Sequence, residues 1–239
     1  MSTLVVKCMT LINDFLSLIY PRHCEACGNS LFKHETFICT HCRVNLPKGY
    51  GAARINNPLK SILAGRVPLH HASSLYVFEK GGKVQRLVYA VKYEQQKELA
   101  AFLGTVYTEE LVKEDLLLKI DFIVPIPLHP KKLKARGFNQ SEWFAEGLAQ
   151  GMNKTVNTQV LERVVETSTQ TKKRKYQRWQ NVDGIFAIKD QEQLENKHIL
   201  LVDDVVTTGA TIEAAWQALK DVKGIKLSVV AIAFSNNTR

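Results

Sequence analysis

The sequence predicts an α/β domain, a mainly parallel sheet with helices on both faces, preceded by a small four-cysteine ribbon. Three observations predict it. First, Ile199-Leu200-Leu201-Val202 is an unbroken aliphatic run, followed by Asp203-Asp204, a Thr207-Thr208-Gly209 turn, and a helical stripe of Ile212, Ala215, Trp216 and Leu219. Second, a similar strand–loop–helix passage runs from Asp121 through Pro125-Ile126-Pro127 to Asn139. Third, two Cys-x-x-Cys pairs, Cys24/Cys27 and Cys39/Cys42, lie eleven residues apart. Short strands apolar on both faces and alternating with helices belong to parallel sheets. Such sheets bind ligands over the carboxyl ends of their strands.

At 239 residues the chain can bury one good core and carry a small second module. The formal net charge of +9 suits an anionic partner, a phosphorylated small molecule or a nucleic acid, although a solvated basic surface reads the same way. Residues 1–20 are apolar but broken by Lys7, Asn13 and Asp14, which argues against a spanning helix. The stretch also lacks the basic start and small-residue cleavage site of a signal peptide. It is read as a packed helix, with Cys8 a small buried hydrophobe, and the chain as cytoplasmic with no membrane span.

Residues 21–47 form the ribbon. Each Cys-x-x-Cys puts two thiolates on one tight turn, and Gly28 lets the backbone turn its N–H groups toward the sulfurs. Cys24, Cys27, Cys39 and Cys42 thus offer four soft ligands to tetrahedral Zn2+. Disulfides or a redox pair are the alternatives, disfavoured for two such close pairs in a cytoplasmic chain. With all four positions filled by protein, the zinc is structural, and so small a module draws most of its folding energy from it. Residues 48–70, punctuated by Gly49, Gly51, Pro58, Gly65 and Pro68, read as a linker.

The α/β domain then spans 71–239. Ser73–Phe78 reads as a strand, turned by Gly81-Gly82. Val84, Leu87, Val88 and Val91 mark a helix ending at Lys92-Tyr93, and Leu99, Phe102, Leu103 and Val106 mark another. Lys92 reads as a helix-end charge favoured by the dipole, or as a phosphate ligand. After the Asp121 strand comes a proline-stiffened loop, then the cations Lys131, Lys132, Lys134 and Arg136, then a helix opened by an Asn139/Glu142 capping box. Val160–Val165 is a further strand. Residues 167–181 are polar and basic and read as a solvated surface segment or a lid. Val182–Ile188 and Leu227–Phe234 complete the strands.

The stretch 198–211 carries the chemistry. A small-residue turn entering a helix leaves backbone N–H groups unpaired beside the positive end of the helix dipole, a seat for phosphate. Thr207, Thr208 and Thr211 add hydroxyl donors. Asp203 and Asp204 would repel phosphate, so they are placed to accept hydrogen bonds from sugar hydroxyls or to face a divalent cation. A sugar phosphate satisfies both halves; a generic turn with solvated acids is the plain alternative.

This stretch resembles the loop for 5-phosphoribosyl-1-pyrophosphate (PRPP) in the type I phosphoribosyltransferases. The resemblance implies that Asp203 and Asp204 take the ribose hydroxyls and that Thr207, Thr208, Gly209, Ala210 and Thr211 take the 5′-phosphate. Together with the Cys-x-x-Cys pairs, Lys92-Tyr93, Pro125–His129, Arg136–Gln140, Thr169-Gln170, Arg178 and Asn181, the chain resembles the ComF family of competence-associated, amidophosphoribosyltransferase-related proteins. That resemblance implies a type I phosphoribosyltransferase fold with a zinc ribbon and a role in DNA uptake during natural transformation.

Two departures narrow the activity. Purine phosphoribosyltransferases carry an acid directly before the Thr-Gly of this loop; Thr207 stands there, which argues against a purine acceptor. Glutamine-using relatives need a glutaminase domain with an N-terminal cysteine, and this chain begins Met1-Ser2-Thr3. An enzyme of this kind stabilises pyrophosphate as it leaves C1′, with Mg2+ and cations supplying the charge. Pro127, Leu128, Lys131, Arg136, Lys92 and Arg178 are the candidate pyrophosphate contacts; the acceptor is set by regions without a motif. The alternative is a non-catalytic PRPP sensor that binds single-stranded DNA, or meets DNA-uptake proteins, through basic runs beside Phe138, Tyr176 and Trp179.

Overall fold

The computed structural model describes residues 20–51, 56–94, 96–112, 119–165 and 184–235. The helix expected in residues 1–19 and the lid expected at 167–181, with Arg178, lie outside the described residues. The chain divides into two compact units, Met1–Leu46 and Pro47–Arg239.

In the small unit, the first Cys-x-x-Cys turn closes through Gly28 N–H donating to the Cys24 carbonyl at 2.7 Å, with Gly28 at φ 79°. Glu25 N–H reaches the Phe37 carbonyl, tying the two cysteine turns together. The second turn opens helix α1 (Thr40–Asn45), capped by the Cys39 sulfur accepting from Cys42 N–H. The buried Glu35 carboxylate accepts from Phe32 N–H, Thr40 N–H and the Thr40 hydroxyl. These bonds hold its pKa down at about 2. Among the described residues of this unit, the buried apolar side chains are Ala26, Ile38, Leu46, Cys24, Cys39 and Cys42, too few to fold the segment 20–46 unaided.

The large unit is built on a four-stranded parallel sheet. Its strands are β1 (Leu69–Val77), β2 (Phe122–Pro125), β5 (His198–Val206) and β6 (Lys226–Phe234), in the order β1-β6-β5-β2. A separate antiparallel ribbon pairs β3 (Leu161–Arg163) with β4 (Phe186–Ile188). The helices are α2 (Pro58–Leu63), α3 (Lys83–Tyr93), α4 (Lys97–Leu111), α5 (Pro130–Arg136), α6 (Gln140–Met152) and α7 (Ala210–Leu219). Ile199 and Leu201 of β5 and Leu227, Val229 and Ala231 of β6 pack with Ile212, Ala215 and Leu219 of α7 and Leu59 and Leu63 of α2. Elsewhere α6 packs on β2 and β5, and α4 packs along α6. There the helices meet backbone to backbone: a Cβ on Gly147 would stand 2.0 Å from the Ala101 carbonyl oxygen, and one on Gly104 2.3 Å from that of Phe144.

Three sequence expectations are corrected. Residues 48–70 are not a linker. Pro47–Tyr50 runs antiparallel along β1, with Val77 N–H donating to the Pro47 carbonyl and Gly49 N–H to that of Leu75. Then α2 begins at Pro58, with Asn57 Oδ1 accepting from Leu59 and Lys60 N–H and Asn57 Nδ2 donating to Ala72 O at 2.6 Å. Asn-Pro opens a short helix with the same letters that punctuate a loop. Secondly, Lys131–Arg136 belongs to helix α5, stopped by Gly137 at φ 81°. Thirdly, Asp203 and Asp204 lie inside β5, which continues to Val206, paired with β6 at Asp203↔Ala231 and Val206↔Phe234.

Candidate functional site

The carboxyl end of β5 delivers the acid pair and the turn. Successive strand residues point to opposite sides, and the two acids find different surroundings. Asp203 is buried; its Oδ1 accepts from Ser141 Oγ at 3.5 Å and from Asp204 N–H at 2.8 Å. Asp204 is half-buried; its Oδ1 accepts from Val205 N–H and meets Lys92 Nζ at 3.1 Å. Burial first, and then the neighbouring Asp204 charge, push the Asp203 carboxyl up to about 7, against the opposing pull of Asp204 N–H, Lys92 and Arg163. Arg163 of β3 has its own pKa lowered by burial, partly offset by Asp203. A carboxyl pair that holds its proton so tightly is short of positive charge, the condition that a divalent cation or a ring of hydroxyl donors relieves.

Beyond Val206 the chain turns through Gly209 at φ 78° into α7. Among the described residues, the backbone N–H groups of Thr207, Thr208, Gly209, Ala210 and Thr211 have no hydrogen-bond acceptor. Thr207 and Thr208 are exposed. The loop is braced from behind: Arg66 Nη2 donates to the Thr208 carbonyl at 2.9 Å, and Arg66 Nη1 meets Glu213 Oε2 of α7 at 2.7 Å. A Cβ on Gly209 would strike Leu63 Cδ2 at 2.6 Å. Its positive φ is what favours glycine there; the Leu63 side chain could shift. With its carbonyl held by Arg66 and its amides without acceptors, the turn can seat a phosphoryl group.

The cations expected at a second anion position gather in part. Lys92 sits on Asp204, and the next residue, Tyr93, carries the Arg136 guanidinium 5.6 Å from its ring centroid. Arg136 Nη1 also donates to Gln140 Oε1 at 3.0 Å. Pro127 and Leu128 lie half-buried on the loop after β2, the strand beside β5. That loop is held by Asn139 Nδ2 donating to the Ile126 carbonyl, while Asn139 Oδ1 caps α6 through Ser141 N–H. Glu142, expected as the other half of a capping box, has its pKa raised by burial and by Glu146. Lys131 is exposed on α5.

In the small unit the four cysteine sulfurs all lie within 4.8 Å of one another, with Cys27 and Cys39 Sγ at 3.8 Å. Tetrahedral thiolates at about 2.3 Å from zinc stand roughly 3.8 Å apart, so the cluster has the dimensions of a zinc site. Burial pushes the Cys39 and Cys42 thiols up. Burial acts on Cys24 in the same direction, but N–H groups of Cys39, Cys27 and Ala26 bring it down to about 7. Four thiolates packed this closely need a cation to be charged together.

Residues 140–239 match the family model described as the phosphoribosyl transferase domain. The chain is 28% identical over 207 residues to the DNA utilization protein YhgH of Salmonella typhimurium, covering 85% of this chain and 86% of that one. It is 24% identical over 203 residues to Competence protein F of Haemophilus influenzae, covering 82% and 83%. It is 35% identical over 107 residues to Competence protein ComFC of Bacillus subtilis, covering 45% and 41%. These matches make the chain similar to the phosphoribosyltransferase-like competence and DNA utilization proteins.

The chain has the parallel sheet with helices and the four-cysteine cluster that the sequence predicts. Among the described residues, no helix is long and apolar enough to cross a membrane. Four residues at the site escaped sequence reasoning. Arg66 fell in the stretch read as a linker. Ser141 was masked by its place in the first turn of a helix. Asn139 was read as a cap and as part of the Arg136–Gln140 stretch, but not as the brace of the loop after β2. Arg163 left one signal, a cation inside the apolar run Val160–Val165.

Proposed function

We propose that this protein binds PRPP at the carboxyl end of β5 and acts in competence or DNA utilization, as the names of its relatives indicate. The observation that carries the reading is the row of five acceptor-free amides directly after an acid pair on one strand. In this reading the amides and hydroxyls of Thr207–Thr211 take the 5′-phosphate, Asp204 accepts from a ribose hydroxyl, and the buried Asp203 supports it and accepts from the other. Lys92 leaves Asp204 when the hydroxyls arrive and turns to the pyrophosphate with Arg136, Lys131 and the Pro127-Leu128 loop. Arg178 is proposed for the same task from outside the described residues. Mg2+, when bound with PRPP, would neutralise part of the pyrophosphate charge. Its fit rests on the shortage of positive charge at the acid pair.

Transfer, in this reading, breaks the C1′–O bond with its electron pair leaving on pyrophosphate. A nucleophilic nitrogen or oxygen of the acceptor bonds C1′ and gives up a proton. The chain's own part is electrostatic, with Lys92, Lys131 and Arg136 offsetting the leaving charge. Cys24, Cys27, Cys39 and Cys42 would hold a structural Zn2+.

Isothermal titration of PRPP tests the site. Asp204→Ala should abolish the binding heat while circular dichroism and the melting profile stay those of the parent. Undiminished affinity would overturn the assignment. A pyrophosphate-release assay with pooled amines and bases tests transfer; release that depends on an added acceptor supports it.

A second reading, contact with single-stranded DNA, is favoured by one surface. Tyr89 and Tyr93 are 55% and 59% exposed, their ring centroids lie 4.9 Å apart, and Arg136 sits over Tyr93. Lys131, Lys132 and Lys134 are on the same helix as Arg136. Neighbouring exposed rings flanked by cations suit unpaired bases and their phosphates. Of the aromatics first suspected, Phe138 is half-buried, and Tyr176 and Trp179 lie outside the described residues. In filter binding, affinity should fall steeply with salt, and Tyr89→Ala/Tyr93→Ala should lose about tenfold. Salt-independent retention would remove this reading.

A further inference from the structure

The opposite end of the sheet holds a second cluster of functional groups that the PRPP reading does not use. A cavity of about 540 Å³ is lined by His70, His71, Lys119, Asp121, Asn196, His198 and Lys226. His198 opens β5 and Lys226 opens β6, so the cavity lies at the amino ends of the strands whose carboxyl ends carry the acid pair and turn. The nine residues of β5 separate the two regions by roughly 25 Å.

The cluster is built rather than loosely exposed. His198 is buried, its Nε2 within 2.9 Å of the fully buried Ser228 hydroxyl, and the His70 ring lies 5.0 Å from it. Asp121 is occupied by the protein: Oδ2 accepts from His198 N–H at 2.7 Å, and Oδ1 meets Lys197 at 3.6 Å. Asn196 is held at φ 57°, its Oδ1 against Gly224, where a Cβ would come within 2.3 Å. Lys119 and Lys226, by contrast, have no carboxylate within ion-pair distance among the described residues.

The balance of charge decides what would enter. Among the described lining residues, the one acid, Asp121, is already satisfied by a backbone N–H and Lys197, while the ammonium groups of Lys119 and Lys226 and the imidazoles of His70 and His71 remain as donors. The volume is in the range of small-molecule sites. Both Lys119 and Lys226 lie on segments fixed by the sheet: Lys226 is in β6, and Asp121, two residues after Lys119, pairs by N–H with the His198 carbonyl. We propose that this cavity is a second anion site, taking a small phosphate-bearing molecule through Lys119, Lys226 and the His70 and His71 rings.

The experiment is an NMR titration of the full chain with inorganic phosphate, reading the histidine rings. The chain has 7 histidines, so His70, His71 and His198 report on this cavity, His129 on the loop after β2, and His23, His34 and His41 on the ribbon. Saturable shifts of His70 and His71 are expected, unchanged in Asp204→Ala. Each of Lys119→Ala and Lys226→Ala should weaken them about tenfold, the effect of losing one charge-assisted hydrogen bond. Both lysines are outside the core, so the variants should fold. Three results would overturn the proposal: shifts that never saturate, shifts reproduced by chloride at equal ionic strength, or equal saturation in the double lysine variant. Shifts confined to His129 would place phosphate at the other end of the sheet and would equally reject it.

Discussion

Asp203 and His198, five positions apart on β5, are both buried and titrate in opposed senses. Asp203 has its pKa raised to about 7, whereas His198 has its lowered to about 4, first by burial and then by the charges of His70, His71 and Lys226. For Asp203, the folded state holds a proton that the unfolded chain releases near pH 4. Its contribution is fully present below that pH and is lost as pH rises through about 7. For His198, the unfolded chain takes a proton near pH 6.5 that the folded state refuses. Its contribution is present above that pH and is lost as pH falls toward about 4. The two pH slopes have opposite signs, so between pH 5 and 6.5 they largely offset each other. Asp203→Asn should therefore leave a protein that loses stability as pH falls through this window. His198→Gln should leave one that gains it. Urea denaturation at pH 5 and pH 6.5 measures both slopes, and equal slopes in the two variants would contradict the assignment. At pH 8, Asp203→Asn should also melt higher than the parent, since the buried carboxylate is held at a cost to the fold.

At the scale of elements, the site depends on how α6 is docked. This helix brings Ser141 to Asp203, and its cap Asn139 pins the loop after β2. Its closeness to α4 is set by glycine, because a side chain at Gly147 would meet the Ala101 carbonyl, backbone that cannot swing aside. Gly147→Val should cost about 3 kcal/mol, at the upper end for overpacking a core, read as a lower urea midpoint. The same variant should weaken PRPP binding without touching a ligand contact. A Gly147→Val protein as stable as the parent would show that the helices can separate freely. The ribbon makes the converse case, an element with too few apolar residues to hold itself. Stripping metal with a chelator should expose all four of its cysteines to a thiol reagent and collapse the dispersion of the His23, His34 and His41 signals, consistent with metal binding as folding energy. Protected thiols after chelation would exclude a structural metal.

For the molecule as a whole, how much was legible beforehand follows from the range of each interaction. Ile199–Val202, the acid pair, Gly209 and the α7 stripe were readable because strand, turn and helix are local patterns with fixed periods. Cys24, Cys27, Cys39 and Cys42 were readable because ligand spacing within a turn is local too. Lys92 was poised between a helix-end charge and a ligand, and its position on Asp204 came only with the packing of α3. Arg66 is the clearest illegible residue, reaching Thr208 and Glu213 across more than a hundred positions of sequence. Arg163, Ser141 and the pocket of His70, His71 and His198 likewise bring together segments that no spacing connects. The sequence by itself determined the class of fold, the cysteine cluster and the order strand, acids, turn, helix, since these depend on neighbours along the chain. Tertiary structure alone decided that Asp203 is buried while Asp204 meets Lys92, that Arg66 braces the turn, and that histidines gather at the far end of the same strands, since burial and charge act through space between residues the chain keeps apart.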